Sequence, residues 1–154
     1  MILRTRCLGK EEAIPYELLL FADETRQAID RYIYDSDLYV IEEERTVVAV
    51  YALCALNGTV IEIKNIAVAP ALQGRSIGRF LLEDAARRAT EAGYREIIVG
   101  TPDSASRLLG FYEQAGFIRY EKKVSFYLEN YPDPIIEEGV QLRDMMMLKK
   151  ILVH

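Results

Sequence analysis

The stretch Val68-Ala69-Pro70-Ala71-Leu72-Gln73-Gly74-Arg75-Ser76-Ile77-Gly78-Arg79 has the residue types that hold an anion. It leaves an apolar, strand-like segment and opens onto residues 80–92, Phe-Leu-Leu-Glu-Asp-Ala-Ala-Arg-Arg-Ala-Thr-Glu-Ala, whose apolar and charged faces separate at helical spacing. Small residues at a helix N-terminus turn successive unpaired N–H groups toward one point, and the helix dipole adds about half a unit of positive charge there. The result is a cradle of the size a pyrophosphate needs. Gly74 and Gly78 let a ligand approach the backbone, while Arg75 and Arg79 add charge-assisted contacts to phosphate oxygens. A plain strand-to-helix turn with solvated arginines is the alternative reading of the same residues.

Two common phosphate-binding signatures are missing. No Gly-Lys-Ser/Thr follows the loop, and Gly-x-Gly-x-x-Gly is absent. A nucleotide-type ligand of another kind is therefore expected. The single histidine is His154, at the end of the chain, which removes the base that a Ser-His-Asp or Cys-His mechanism needs and leaves no histidine-based metal site. Cys7 and Cys54 are too far apart for a C-x-x-C pair, and both are expected to be buried thiols in apolar stretches. Cys54 has no activating base beside it in the sequence, which disfavours an acyl-cysteine route.

The elements that position the loop follow from periodicity. Residues 2–7 read as an edge strand, and 10–33 as two short helices around Leu18, Leu19, Ile29 and Ile33. Residues 38–42 and 47–56 read as strands two and three across a turn at Glu43-Glu44-Arg45. The pair Asn57-Gly58 then predicts a type I′ hairpin, with 59–68 as strand four. After the helix over 80–92 and its C′ glycine, Gly93, come a short buried strand over 96–99 and a helix over 106–115 with Asp103 or Ser104 as its N-cap. Long strands over 117–128 and 142–152 complete the chain, joined by a loop holding Pro132, Pro134 and Gly139. Strands joined by tight turns pair antiparallel and strands separated by a helix pair parallel, giving an α/β sheet with helices on its faces.

Bulk properties set the surroundings. A chain of 154 residues is the length of one domain, and residues 1–154 are expected to form a single one. With 51% hydrophobic and 28% charged residues, no run approaches a membrane span, and the charged N-terminus lacks the apolar core of a secretory signal, so the expected compartment is the cytosol. The net charge of −5 speaks against nucleic acid and toward an amine or cationic partner. Acidic residues gather at Asp23, Glu24, Asp35, Asp37 and Glu42 to Glu44, and again at Glu137 and Glu138.

The 68–79 loop resembles motif A of the GNAT superfamily of N-acetyltransferases, whose signature is Arg/Gln-x-x-Gly-x-Gly/Ala. Gln73, Ile77 and Gly78 match it, and Ser76 stands where the family usually has its middle glycine. A second stretch, Leu109-Gly110-Phe111-Tyr112-Glu113-Gln114-Ala115-Gly116-Phe117, resembles motif B, in which a helical tyrosine precedes a Gly-Phe that starts the next strand. The resemblance covers about residues 47–126. It implies a mixed, mostly antiparallel sheet of about seven strands flanked by about four helices, with the fourth and fifth strands parallel and splayed.

It also implies transfer of acetyl from acetyl-CoA to an amine by direct attack in a ternary complex, without a metal. The pyrophosphate would lie on Gln73, Gly74, Arg75, Ser76, Ile77, Gly78 and Arg79. Backbone N–H groups of Ile66, Ala67 and Val68 would polarise the acetyl carbonyl, and pantetheine would lie along them as an added strand. Tyr112 would protonate the departing sulfur. Glu62, eleven positions before Gln73 on strand four, would accept the amine's proton through water, unless a water relay does so or the amine arrives neutral. Gly100 leaves no carboxylate where other members carry one. The acceptor is expected to be a small-molecule primary amine, and a homodimer is common in the family; the acidic runs read either as a surface for a polycation or as solvated faces. Two other readings stay open: an acyl-CoA-binding sensor without catalysis, and acetylation of a protein N-terminus or lysine.

Overall fold

The computed structural model describes residues 2–153; the expectation for His154 falls outside them. Seven strands form one sheet: β1 (Arg6–Cys7), β2 (Asp37–Glu43), β3 (Thr46–Ala55), β4 (Val60–Val68), β5 (Glu96–Pro102), β6 (Ile118–Lys123) and β9 (Met145–Ile151). Their order is β1-β2-β3-β4-β5-β9-β6. Every neighbouring pair is antiparallel except β4 and β5. Five helices accompany the sheet: α1 (Tyr16–Leu19), α2 (Arg26–Asp30), α3 (Ile77–Glu91), α4 (Ser106–Gln114) and α5 (Phe126–Asn130). A separate hairpin joins β7 (Ile136–Glu137) to β8 (Val140–Gln141).

Each face of the sheet buries its own core. On one face Ile61, Ile63, Ile97, Val99 and Leu148 meet Leu81, Leu82 and Ala85 of α3 and Leu109 of α4. On the other, Val40, Val50, Ala52 and Ala67 meet Leu18 and Leu19 of α1 and Ile29 of α2. A bulge in β4 lets one strand serve both: Leu53 pairs with Ile63 but Ala52 with Asn65, leaving Lys64 without a partner in the register. Beyond it the parity reverses, so Asn65 and Ala67 join the second core while Ile66 and Val68 turn to the α3 face.

Several local expectations are corrected. Gly58 does not adopt positive φ; Asn57 instead caps a longer loop, its Oδ1 accepting from the Thr59 and Val60 N–H groups at 2.8 and 2.9 Å. The two-residue turn with both φ positive is Glu44 (51°) and Arg45 (69°), between the paired residues Glu43 and Thr46. Residues with Cβ are strained there. The double change Glu44→Asn with Arg45→Gly is expected to stabilise the fold by about 1 kcal/mol, read as a higher denaturant midpoint at unchanged slope.

The strand expected over 117–128 ends at Lys123, and α5 follows. Ser125 turns the chain with φ 60°, and its N–H donates to Asp144 Oδ1 at 2.8 Å. This folds Tyr127 inward onto Ile135 and Leu142 in a third small core. Neither cysteine is buried: Cys7 is exposed on the edge strand, and Cys54 is partly exposed opposite Glu62. Among the described residues, no helix is long and apolar enough to cross a membrane.

Candidate active site

Pairing between β4 and β5 stops at Ile63 and Val99. Past that point the two parallel strands splay, and the split opens into a cavity of about 810 Å³ lined on one side by Ile66 and Val68 and on the other by Gly100, Thr101 and Pro102. Gly100 leaves room at its Cα for two methionines: a Cβ there would overlap the sulfurs of Met145 and Met147. Ala69 donates its N–H to Val48 O on the β3 side at 2.8 Å. Backbone polarity alternates along a strand, so Val68 and Ile66 present their N–H and C=O groups to the open split. Gln73 Nε2 donates to Val68 O at 3.1 Å, which ties the following loop to the strand end.

At one end of the cavity stands the N-terminus of α3. Gly74 has φ 79° and Ser76 φ 61°, so the position where the sequence departs from the motif's glycine is held in the left-handed region. Serine there carries strain of about 1 kcal/mol that glycine would avoid. Its side chain caps nothing. The N–H groups of Ile77, Gly78 and Arg79, the first turn of a fifteen-residue helix, are free of intrahelical partners and face this end. Gly78 admits the Phe111 ring of α4, which a Cβ would meet at 3.2 Å. Arg79 and, from α4, Arg107 line the same cavity, and Arg79 also reaches Glu83 at 3.3 Å.

In the middle lies Tyr112 of α4, 4% exposed, edge-on to Phe111 and Phe117 with ring centroids 5.2 and 5.8 Å away. Its hydroxyl makes no hydrogen bond among the described residues, and the side chain lines the cavity. Burial raises the phenol well above its ordinary value, so it carries its proton at neutral pH.

The far end is acidic and aromatic. Asp23 and Glu24, in the loop between α1 and α2, face Glu137 of β7 together with Tyr127 and Tyr131. Asp23 accepts hydrogen bonds from Tyr131 Oη at 2.7 Å and Tyr32 Oη at 3.1 Å, and Arg31 Nη1 donates to Asn130 O at 2.8 Å. These contacts hold the early loop against the chain just after α5. Burial raises the Glu137 carboxyl, and the neighbouring carboxylates Glu24 and Glu138 and a hydrogen bond with Glu24 raise it further.

Of the residues singled out in the sequence, Tyr112, Ile66, Val68, Gln73, Gly74, Ser76, Ile77, Gly78 and Arg79 line this one cavity. Three do not. Arg75 is exposed outside it, and Ala67 points into the core under α1 and α2. Glu62 lies in the paired part of β4, between Cys54 and Ile98, with its carboxylate 3.1 Å from Lys64 Nζ. The bulge at Lys64 is the reason, because it separates the parity of Glu62 from that of Ile66 and Val68. The N-cap of α4 is Ala105 with no side-chain cap; Asp103 pairs instead with Lys122 at 3.4 Å. Thr101 and Arg107 carried no signal in the sequence, whereas the acidic runs at 23–24 and 137–138 did, without any sign that they meet.

A phosphate-sized anion cradle, a split sheet and an acidic mouth in one cavity suit group transfer from an anionic donor to a cationic acceptor. A family model described as acetyltransferase (GNAT) family matches residues 8–117. The N-acetyltransferase YvbK of Bacillus subtilis is 34% identical over 133 residues, 86% of each chain. A GNAT family acetyltransferase from Elizabethkingia anophelis, solved with acetyl-CoA bound, superposes with a TM-score of 0.93 at 34% identity over 97% of each chain. A Bacillus subtilis acetyltransferase solved in complex with CoA superposes at 0.89 with 32% identity, over 99% of this chain and 100% of that one. The chain belongs to the acetyltransferase (GNAT) family and is an acetyl-CoA-dependent acyltransferase.

Proposed function

We infer that the protein acetylates a primary amine of a small molecule that carries additional positive charge. The observation behind this reading is the continuity of one cavity from the α3 N-terminus, past Tyr112, to the carboxylates of Asp23, Glu24 and Glu137. Acetyl-CoA, when bound, supplies an acetyl group activated as a thioester. The residues present fit it: the free N–H groups of Ile77, Gly78 and Arg79, with the Arg79 and Arg107 guanidiniums, suit its pyrophosphate. Ile66 and Val68 offer backbone N–H groups in the split, suited to an added extended arm and to polarising a carbonyl. Tyr112, buried and protonated, is the proton donor to the leaving sulfur.

The mouth receives the acceptor's second positive charge, and the attacking amine loses its proton to water. Glu62 is off the cavity, whereas Glu137 lines it with a carboxyl raised above its ordinary value by burial and by Glu24 and Glu138. Glu24 and Glu137 share a hydrogen bond and their like charges raise the Glu137 carboxyl, an arrangement a cation would relieve.

The test is a comparison of acceptors. For the double variant Glu24→Gln with Glu137→Gln, KM for a diamine is expected to rise about tenfold, as loss of a charge-assisted contact requires. KM for a monoamine of equal length should change much less. Equal effects on both would remove the second cationic site from this reading.

A further inference from the structure

Among the described residues, two buried side-chain polar atoms lack a hydrogen-bond partner: Asn65 Oδ1 and Thr101 Oγ1. Asn65 is otherwise committed, its Nδ2 donating to Leu19 O and Tyr32 Oη, each at 3.0 Å. Thr101 has no such engagement. It is 2% exposed, yet it lines the cavity. An unmade hydrogen bond of this kind destabilises the fold, and valine would fill the same volume without that penalty. The hydroxyl therefore makes sense where a partner arrives with a ligand.

The strand shows where that partner must lie. Ile97 and Val99 face the core beneath α3 and α4, and the two-residue period carries Thr101 to the same face as Tyr112. Its other neighbour in the sheet is Met146 of β9, so its free side looks into the split where β4 no longer pairs. Ile66 and Val68 stand across that split.

Resting on the acetyl-donor reading of this cavity, we propose that Thr101 is a positioning residue whose Oγ1–H donates to the carbonyl oxygen of the acetyl thioester. The contact holds the acetyl group between the backbone of β4 and the hydroxyl of Tyr112. It engages the acyl group and not the rest of the coenzyme, so it separates acetyl-CoA from CoA.

The experiment is calorimetric titration of wild type, Thr101→Val and Thr101→Ser with acetyl-CoA and with CoA, alongside thermal midpoints of the free proteins. Thr101→Val should keep or raise the midpoint, because no bond is lost in the free protein. It should weaken acetyl-CoA about tenfold and leave CoA within about twofold, the span of one hydrogen bond to a polar ligand group. Thr101→Ser should restore most of the acetyl-CoA affinity. Equal losses for both ligands, no loss for either, a lowered midpoint in Thr101→Val, or Thr101→Ser behaving like Thr101→Val would each overturn the assignment. Wild type that binds neither ligand would overturn the donor-site reading itself, and the Thr101 contact with it.

Discussion

Tyr112→Phe is expected to bind acetyl-CoA as the wild type does and to lose about 10²- to 10⁴-fold in kcat, the range that removal of a positioned general acid produces. Phenylalanine keeps the edge contacts with Phe111 and Phe117, and the lost hydroxyl has no hydrogen bond among the described residues, so the fold should not suffer. The pH profile carries a sign. The acid must be protonated to act, and burial holds its pKa above the ordinary 10.0, so wild-type turnover should show no loss from this group until the pH rises beyond that value. Stopped-flow or steady-state thiol release at several pH values reads both effects. A variant with unchanged kcat would remove Tyr112 from the chemistry.

The second large effect is on stability. Asp84, on α3, is 6% exposed and accepts from Tyr51 Oη at 2.6 Å, Thr5 Oγ1 at 2.7 Å, Arg87 Nη2 at 2.7 Å and Arg88 Nε at 3.1 Å. Arg88 also lies 4.3 Å from the Tyr39 ring, which stacks on Tyr51. This cluster ties α3 to the middle of the sheet and to the N-terminal segment. Asp84→Ala would leave the fully buried Tyr51 with an unpaired hydroxyl and Arg88 without its counter-charge. The expected cost is about 3–5 kcal/mol, a large share of a typical domain's stability. In a chain of this size that lowers Tm by about 6–20 °C. Tyr51→Phe, which leaves Asp84 its other partners, should cost much less.

The same carboxyl has a pH signature. Burial alone would raise its pKa, but the hydrogen bonds from Tyr51, Thr5, Arg87 and Arg88 outweigh it and hold the value below the ordinary 3.8. A depressed carboxyl stabilises the fold fully above its unfolded value, and that stability is lost as the pH falls through the lower folded value. Urea midpoints between pH 6 and the acid limit should therefore fall more steeply in wild type than in Asp84→Ala.

Much of this architecture was legible in the residues. The helix α3 shows in its amphipathic spacing, and the strand-to-helix loop shows in Gln73, Gly74 and Gly78. The turn residues were less reliable guides. Asn57-Gly58 has the composition of a tight hairpin, yet the Asn57 side chain captures two backbone N–H groups and closes a longer loop, while Glu44 and Arg45 take the strained turn because the register of β2 and β3 demands it. The end of β6 was illegible for another reason: the contact of Ser125 with Asp144 and the burial of Tyr127 come from residues far along the chain.

The site divides in the same way. The end of the cavity at α3 is local in sequence, and most of the residues that line it stand in one run, with Arg75 turned away. The Lys64 bulge, which no propensity announces, moved Glu62 out of the cavity and brought Ile66 and Val68 to face it. The mouth depends on Glu24 meeting Glu137 across more than a hundred residues, through the bond between Tyr131 and Asp23. Acidic composition marked both segments, and only the fold joined them.

One cavity is proposed to seat acetyl-CoA at the α3 N-terminus and a cationic amine at the acidic mouth. Calorimetric titration of the purified protein with acetyl-CoA, followed in the same preparation by thiol release against diamines, polyamines and neutral amino compounds, tests it most directly. The expected result is saturable binding and thiol release that depends on the amine and is fastest with multiply charged acceptors. Absence of acetyl-CoA binding, or release that is indifferent to the amine, would contradict it.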